Sequence, residues 1–571
     1  MENFFLDNKD VLFHFDTMDL DRIIKLFEDD FKEAQIYPEA PKSIEDAKDS
    51  YKRVMEIVGS IAAEYMAPYA AEVDEQGVIL ENGEVRLAPA TSRAWDMLSK
   101  AELTGMAMSR KYGGLNMPMT LLTMAGEVLS RADASFLNLG LQQDIGLTLE
   151  NFGNEDQKQR VIPLLAQGKE TSAMILTEPD AGSDLQAVSL KATQAPDGTW
   201  RLNGVKRFIT NGCGRIGLVL ARSEDREGAR GLSLFLYHRD KHTKIRRVEE
   251  KLGIHGSPTC EMQFDNAPAE LVGERGWGLI KYTMWLMNSA RLSVASQGVG
   301  IAEAAYREAE KYARERIQFG APIINLPPVF EMLTNMRVSI EAARSLLYET
   351  ARAVEMKEGL ERYSQKHPEQ ADALKADIKK YTKLAALYTP MAKLFNTEMA
   401  NKVTYDAIQI HGGTGYMKDF SVERHYRDAR ITNIYEGTSQ LQVVAAIGGV
   451  MSGVAASIMD EFENEDWSEL PAALIDSVKA MRTKFEKAQL AVREAGNEQY
   501  TNFHARRLVE MATDIIISWL MLRDGRHSER KLKAAEIFIT LARPRIEAHS
   551  TFVLNNHDCY LKNYQTIIEE F

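Results

Sequence analysis

One carboxylate in the segment 427–440 has neighbours suited to chemistry: Glu436, which Gly437 follows directly. Glycine permits backbone conformations and close approaches to a ligand that a side chain would forbid. Thr438 and the two polar residues after it add hydrogen-bonding groups. A second polar, glycine-rich run occupies residues 409–416. The pattern predicts a loop that brings one acid to a ligand, and the alternative is a turn between two helices with an exposed glutamate.

The length and composition are typical of a multidomain globular protein. The chain has 571 residues, of which 45% are hydrophobic and 26% charged, so it can bury a substantial core. Its net charge of -13 disfavours binding to nucleic acid through a general basic field. Nucleic acid is therefore not an expected partner.

The chain has three cysteines, Cys213, Cys260 and Cys559. They are odd in number and far apart, which does not fit a disulfide framework or a zinc site. We therefore expect no bound metal and a reducing, cytoplasmic compartment. Residues 1–10 lack the basic stretch of a signal peptide, and no uninterrupted apolar run is long enough to span a membrane.

The patterning of the sequence changes from helical to strand-rich and back to helical. Between two regions of helical spacing lie short runs rich in β-branched and aromatic residues, which predict a small β-barrel or sandwich. The predicted parts are a leader at 1–50, a helical domain at 51–170, a β-domain at 171–275, a second helical domain at 276–452 and an additional helical domain at 468–571.

Local signals refine this outline. The leader carries one amphipathic stretch, at residues 19–31. Inside the β-domain, Pro196-Asp197-Gly198 and Asn203-Gly204 are hairpin signals. The charged stretch 358–380 predicts a solvated helix–loop–helix, and the acidic stretch 460–466 predicts a linker.

Six short motifs occur in an order that resembles the acyl-CoA dehydrogenase family of flavoproteins. Each motif alone is weak, but six in this order, in matching structural contexts, are a strong signal that covers roughly residues 50–450. The motifs are 176–184 (LTEPDAGSD), 206–212 (KRFITNG), 251–257 (KLGIHGS), 314–320 (RERIQFG), 409–416 (QIHGGTGY) and 435–440 (YEGTSQ).

The resemblance implies an α+β fold with a helical N-terminal domain, a small central β-domain and a C-terminal four-helix domain. This chain adds a further C-terminal helical domain. The resemblance also implies an FAD between the β-domain and the C-terminal helices, held in part by a neighbouring subunit. The implied reaction converts an acyl-CoA thioester to a trans-2-enoyl-CoA: Glu436 removes the α-proton, and N5 of FAD takes the β-hydride. An electron-transfer flavoprotein is the implied electron acceptor.

The resemblance assigns the role of general base to Glu436. Some family members carry the base on a different helix, but its counterpart here, residues 286–291, contains no carboxylate. Burial against ligand and flavin is expected to raise the pKa of Glu436 toward neutrality. In the family, the backbone N–H of the base and a ribityl hydroxyl of FAD polarise the thioester carbonyl.

The resemblance also assigns residues to the cofactor. Thr177 and Thr210 match the threonines that meet the flavin ring, and Phe208 matches an aromatic residue packed against it, although an aromatic in a strand more often belongs to a core. Ser183 is expected to reach the pyrophosphate or the pantetheine, or else to cap a turn. The full cofactor set is Leu176, Thr177, Ser183, Phe208, Thr210, Arg316, Gln318, Phe319, Gln409, Gly412, Gly413, Thr438 and Gln440.

The substrate set implied by the resemblance is smaller. Arg291 matches a CoA contact and can pair with a phosphate, assisted by Asn288, and the alternative for Arg291 is an ordinary ion pair. The substrate set is Ser183, Asn288, Arg291 and Gly437. The acyl chain itself stays open, because Gln142, Gln143 and Asp144 are polar where a long aliphatic chain needs apolar residues. Capping of the next helix is the favoured interpretation of these three.

Two departures from the family pattern bear on these contacts. Leu326-Pro327-Pro328 stands where the family usually has a glutamine, and Val443 stands where many members have an arginine. The charged insertion and the C-terminal extension resemble the longer branch of the family, so a homodimer is expected, with a homotetramer as the alternative. An acyl-CoA oxidase that uses O2 is the alternative function. A non-enzymatic nucleic-acid-associated or scaffolding homologue is a remote one.

Overall fold

Helices form both ends of the chain, and a curled sheet lies between them. The structure, a computed structural model, describes residues 2–140, 143–555 and 558–569. The predicted α+β fold class is confirmed. The elements of the N-terminal part are α1 (Lys9–Thr17), α2 (Asp21–Phe27), α3 (Ile44–Ile61), α4 (Ala70–Gln76), β1 (Ile79–Glu81), β2 (Glu84–Arg86), α5 (Pro89–Lys100), α6 (Met119–Ala132), α7 (Ala134–Gly140), α8 (Gln143–Phe152) and α9 (Glu155–Ala166).

The strands of the central part are β3 (Ser172–Ile175), β4 (Lys191–Gln194), β5 (Trp200–Thr210), β6 (Ile216–Arg222), β7 (Leu232–His238), β8 (Thr243–Val248) and β9 (Thr259–Val272). They form a seven-stranded sheet with the order β3-β6-β4-β5-β9-β7, and β8 pairs with β9. Because β6 also pairs with β7, the pairings return on themselves and the sheet curls into a barrel. Buried aromatic residues such as Trp200, Phe235 and Phe264 fill its interior.

The second helical part begins with a π-helical segment, Gly278–Thr283. Its elements are α10 (Met284–Glu315), β10 (Ile317–Gln318), β11 (Ala321–Pro322), α11 (Pro327–Lys366), α12 (Ala371–His411), α13 (Val422–Thr432), α14 (Ser439–Met451) and α15 (Val454–Glu463). Helix α12 packs against both α10 and α11, and α10 packs against α6 of the N-terminal part. The final elements are α16 (Ala472–Ala495), α17 (Glu498–Gly525), α18 (Glu529–Leu554) and α19 (Cys559–Ile568).

The leader contains two helices where the sequence predicted one. The predicted stretch 19–31 shortens to α2, and α1 was missed. Asn8 caps α1 by accepting hydrogen bonds from the backbone N–H groups of Asp10 and Val11. The buried face of α1 includes Asp10 and His14, so its apolar periodicity is weak although the helix packs in the core.

Two local predictions were wrong, and two were confirmed. Pro196-Asp197-Gly198 forms the predicted hairpin turn, between the antiparallel strands β4 and β5. Asn203-Gly204 forms no hairpin: both residues lie inside β5, at a register shift against β9. The predicted linker 460–466 begins as the last turn of α15, and Phe462 within it and Trp467 just after it are buried. The predicted helix–loop–helix at 358–380 is present, since α11 ends at Lys366 and α12 begins at Ala371.

No single helix in the described ranges is long and apolar enough to cross a membrane. By length and composition alone, α14 and α15 together pass that test, but they are bent by 66°.

A buried ionic cluster joins the first helix to the bundle and to the last domain. The fully buried Arg344 of α11 donates to Glu127 of α6, at 2.9 Å from Nε, and to Glu303 of α10, at 3.0 Å from Nη2. It also bonds to Asp10 of α1, which pairs in turn with Lys531 of α18. One guanidinium therefore compensates three buried carboxylates from three different helices.

We predict that Arg344→Leu strongly destabilises the protein, because it leaves three buried carboxylates without their common cation. Removing one partner of a buried ion pair typically costs about 3–5 kcal/mol. The matched control is Arg22→Leu, which breaks the exposed Arg22–Asp377 pair and is expected to cost less than about 1 kcal/mol. Thermal and urea unfolding of both variants check this, and equal losses would contradict it.

Candidate active site

A cavity of about 650 Å³ lies between the barrel, α7, α8, α10 and the loop after α13. The structure brings eight of the predicted site residues to its wall. They are Leu176, Thr177, Ser183, Phe208, Thr210, Glu436, Gly437 and Thr438. Three different segments of the chain contribute them, so three of the predicted motifs meet at the cavity.

The loop that carries Glu436 has a strained backbone, and hydrogen bonds to its carbonyl oxygens hold it in place. Glu436 and Gly437 both have positive φ, 53° and 90°, a conformation that is unusual for a glutamate. Two buried side chains donate hydrogen bonds to the carbonyl oxygens of this turn. Lys393 donates from Nζ to the Gly437 oxygen at 2.7 Å. Gln442 donates from Nε2 to the same oxygen at 2.9 Å and to the Glu436 oxygen at 3.3 Å. The neighbouring residues therefore fix the backbone of Glu436.

The reactive groups of Glu436 are left unpaired. Its carboxylate makes no hydrogen bond or ion pair with any residue that the structure describes, and its backbone N–H donates to no described acceptor. The carboxylate is half-buried and borders the cavity. The residue thus presents a free base and a free N–H donor to whatever occupies this space.

Burial dominates the electrostatics of Glu436. Desolvation raises its pKa to about 7, against the opposing influence of Lys393 and Arg291, which favour the charged carboxylate. Burial also disfavours the charged form of Lys393. It lowers the pKa of Lys393 to about 7, although the nearby Glu436 favours the charged form. A pKa near 7 suits a general base, because the group is then basic enough to take a proton and still ionised at neutral pH.

A second buried lysine fixes the segment that carries Leu176 and Thr177. Lys206 of β5 donates from Nζ to the Leu176 carbonyl at 2.6 Å and pairs with Glu178 at 3.0 Å. The backbone N–H of Arg207 donates to the Thr177 carbonyl at 3.0 Å. The first two sequence motifs are therefore joined across the cavity rim by hydrogen bonds.

Phe208 projects from a β-bulge. The pairing of β5 with β9 shifts register between Lys206 and Ile209, and Phe208 has a φ of 62°. Its ring is 51% exposed and borders the cavity, with the Arg207 guanidinium 4.6 Å from the ring centroid. This aromatic residue therefore does not belong to the barrel core.

The third motif, residues 251–257, contacts the helix that leads into the Glu436 loop. The backbone N–H of Ile254 donates to the carboxylate of Asp428, on the helix just before that loop. Burial raises the pKa of Asp428 to about 7. Lys251 donates to the carbonyl of Ser257 at 2.9 Å, which closes the motif on itself. Residues 249–254 also border the cavity, a role that the sequence did not assign to them.

The remaining predicted cofactor residues lie away from the cavity wall. The tight β10–β11 hairpin carries Phe319, which has a φ of 53° and is 92% exposed. At Gly412 and Gly413, an added Cβ would meet nothing within 4 Å. Tyr312, just before the hairpin, stacks on His411 with ring centroids 4.3 Å apart, so the two motifs are neighbours. The exposed residues of this group are Arg316, Gln318, Phe319, Gln409, Gly412, Gly413 and, on α14, Gln440.

Asn288 and Arg291 of α10 also lie outside the cavity wall. Arg291 is buried and donates to the Asn288 carboxamide oxygen at 3.0 Å. Its Nε has no hydrogen-bond partner among the described residues. Burial lowers the pKa of Arg291, and the nearby Glu436 opposes that shift. Arg291 therefore contributes positive charge near the base, and its predicted contact with CoA stays a prediction.

The sequence analysis assigned no role to Lys393, Gln442 or Lys206, although Lys206 begins the second motif. Each acts on a motif through a backbone carbonyl, so its function depends on its location and not on a local pattern. For Lys393, the available signal was that it is a lone lysine within an apolar stretch of α12, residues 385–400. Of the three polar residues near α8, Gln142 lies outside the described residues, and Gln143 and Asp144 are buried.

Comparison with known proteins yields four family models that match consecutive segments of the chain. They are described as the acyl-CoA dehydrogenase N-terminal domain (residues 48–169), middle domain (173–267) and C-terminal domain (274–447), and as acyl-CoA dehydrogenase C terminal (451–558).

Individual relatives agree with these models. The chain is 36% identical to 3-methylmercaptopropionyl-CoA dehydrogenase of Ruegeria pomeroyi over 431 residues, 70% of each protein. The butyryl-CoA dehydrogenase structure from Megasphaera elsdenii matches with a TM-score of 0.60 and 30% identity, and the match covers 71% of this chain and 98% of that one. The Bacillus anthracis acyl-CoA dehydrogenase complexed with FAD shares the fold over 91% of this chain and 92% of its own, with a TM-score of 0.76 and 22% identity.

We predict that Glu436 titrates near pH 7, because burial outweighs its two neighbouring cations. Lys393→Met removes one cation and is expected to move the midpoint to higher pH, whereas Lys393→Arg keeps the charge and is expected to move it much less. Infrared difference spectroscopy of the carboxyl band, with Glu436→Gln as the blank, measures each midpoint. A wild-type midpoint near the ordinary glutamate value would contradict the prediction.

Proposed function

The chain belongs to the acyl-CoA dehydrogenase family, and on this premise we propose that it oxidises an acyl-CoA thioester to a trans-2-enoyl-CoA with Glu436 as the base. It is an enzyme, an oxidoreductase of CH–CH bonds. The observation that carries the assignment of the base is the unpaired carboxylate of Glu436 at the cavity wall, with a pKa of about 7.

The base must act on a weakly acidic C–H bond next to a thioester carbonyl. Removing that proton is easier when a donor stabilises the negative charge that develops on the carbonyl oxygen. The free backbone N–H of Glu436 is suited to this task, because the positive φ of the residue and the two captured carbonyls prevent the turn from relaxing. One residue would thus supply both the base and one oxyanion donor.

FAD is the cofactor, and the cavity residues fit its flavin ring. The hydroxyls of Thr177, Thr210 and Ser183 border the cavity and have no hydrogen-bond partner among the described residues. Phe208 offers an exposed aromatic face on the same wall. Bound FAD supplies the acceptor for the hydride that leaves the β-carbon. The threonines would orient the ring, and Phe208 would shield it from water.

The adenine end of the cofactor calls for a second copy of the chain. Arg316, Gln318 and Phe319 stand on an exposed hairpin next to the bare glycines Gly412 and Gly413. We assign this surface to the FAD of a partner subunit in a homodimer. At the two positions where the chain departs from the family pattern, the usual polar contacts are lost. Pro327 and Pro328 begin α11 without backbone N–H donors, and Val443 is fully buried.

Contacts to the CoA moiety are proposed for Ser183, Asn288, Arg291 and Gly437. Ser183 is exposed at the cavity mouth and Asn288 is exposed on α10, so both can reach a ligand that enters from solvent. An electron-transfer flavoprotein is the proposed acceptor of the electrons.

We predict that anaerobic butyryl-CoA bleaches the flavin absorbance of the purified enzyme, and that Glu436→Gln abolishes the bleaching, since glutamine keeps the shape of the side chain but cannot take a proton. Removing a general base typically lowers the rate about 10²–10⁴-fold. Flavin content and melting temperature of the variant provide the control. An unchanged rate in the variant would exclude Glu436 as the base, and rapid peroxide formation in air would favour the oxidase alternative.

We predict that Phe319→Ala lowers FAD retention while the protein stays folded, because Phe319 serves the cofactor of the partner subunit. The matched control is Tyr564→Ala on α19, which removes another exposed aromatic far along the chain. Flavin-to-protein ratio after gel filtration, with mass from light scattering, measures the outcome. Full FAD retention by Phe319→Ala would exclude the proposed role of the hairpin.

A further inference from the structure

Asp144 places a carboxyl group on the helical, mostly apolar side of the cavity. It lies near the start of α8, is 7% exposed and borders the same cavity as Glu436. The other cavity-lining residues of α7, α8 and α10 are mostly apolar, among them Leu137, Ile145, Leu286 and Met287. An alkyl chain in the cavity cannot hydrogen-bond to this carboxyl group.

The hydrogen bonds of Asp144 are incomplete. Ser289 donates from Oγ to Oδ1, and Oδ2 accepts no hydrogen bond from any described residue. The adjacent Gln143 differs, because it accepts from the Ala107 N–H and donates to the Leu103 carbonyl, both at 2.9 Å. Gln143 is therefore structural, whereas Asp144 retains hydrogen-bonding capacity that a ligand can use. Leaving such a group unsatisfied when a ligand excludes water is costly.

Two other carboxyl groups, Glu436 and Glu358, act on Asp144 electrostatically. Burial raises its pKa to about 7, Glu436 and Glu358 act in the same direction, and the Ser289 hydroxyl opposes them. Near neutral pH the carboxyl can therefore donate a hydrogen bond as well as accept one. A further negative charge beside it would be repelled.

We infer that Asp144 makes the enzyme select acyl-CoA thioesters whose acyl chain carries a hydroxyl group. The inference rests on the proposed function and specifies its substrate class. A hydroxyl both donates and accepts, so it satisfies Oδ2 in either protonation state of Asp144. An alkyl chain leaves Oδ2 unpaired, and an acyl chain that ends in a carboxylate adds a like charge. Sites that hydrogen-bond a substrate hydroxyl discriminate against analogues that lack it.

The test compares matched thioesters on the FAD-loaded enzyme. Each short ω-hydroxyacyl-CoA is paired with the alkyl thioester in which a methyl group replaces the hydroxyl, and with the thioester in which a carboxylate replaces it. We expect kcat/KM to favour the hydroxyl member of the best-fitting pair by about tenfold, the value of one good hydrogen bond. We expect the carboxylate member to be the poorest substrate.

Three variants separate an effect on substrate preference from a general effect on folding. Asp144→Leu is expected to abolish or invert the preference, and Asp144→Asn to retain part of it, because an amide also donates and accepts. Asp133→Asn changes a half-buried carboxyl that does not border the cavity and is expected to leave the preference unchanged. Calorimetry in the Glu436→Gln background gives the same comparison as Kd values without turnover.

The outcomes distinguish a failure of the inference about Asp144 from a failure of the proposed function. If butyryl-CoA bleaches the wild type but the hydroxyl gives no advantage, or if Asp144→Leu leaves the preference intact, the inference about Asp144 is overturned and the proposed function stands. If no thioester bleaches the wild type, both are overturned. A preference that Asp144→Leu removes and Asp133→Asn preserves supports the inference.

Discussion

The proposed role of Glu436 imposes one constraint on the site: a carboxylate that is to remove a carbon-bound proton must stay free of partners, yet its backbone must not move. The structure meets this constraint by holding the turn through its carbonyl oxygens. Lys393 and Gln442 bond to the oxygens of Glu436 and Gly437 and leave the carboxylate and the N–H of Glu436 unbonded among the described residues. Rigidity and reactivity are thus assigned to different atoms of the same residue.

This arrangement determines how the helices around the loop can pack. Burying the ammonium group of Lys393 costs free energy unless it is bonded and faces a negative charge. The Gly437 carbonyl supplies the bond, and Glu436 supplies the charge. Because Lys393 lies on α12 and Arg291 on α10, both helices must hold their register for the charges to balance. Packing of the bundle and the pKa of the base are therefore linked.

The sequence predicted what local patterns encode and missed what depends on distant contacts. Short motifs and periodicity predicted Glu436, the threonines of the cavity wall and the order of helical and strand-rich parts. The domain boundaries stay predictions. Lys393 was missed, and Lys206 received no role although it begins the second motif, because a lysine in a helix or strand usually lies on a solvated face. Helix α1 was missed because Asp10 and His14 occupy its buried face, and their partners are hundreds of residues away.

The predicted cofactor residues divide into two groups, and that division bears on assembly. One group lines the cavity, and the other lies on an exposed surface around Phe319 and Gly412. A largely exposed phenylalanine held at positive φ on a tight hairpin is unfavourable both for its side chain and for its backbone. Such a feature is understandable if another molecule covers it. Two copies of the chain, each lending its exposed group to the other's cavity, would complete two sites at once, which an isologous dimer allows by symmetry.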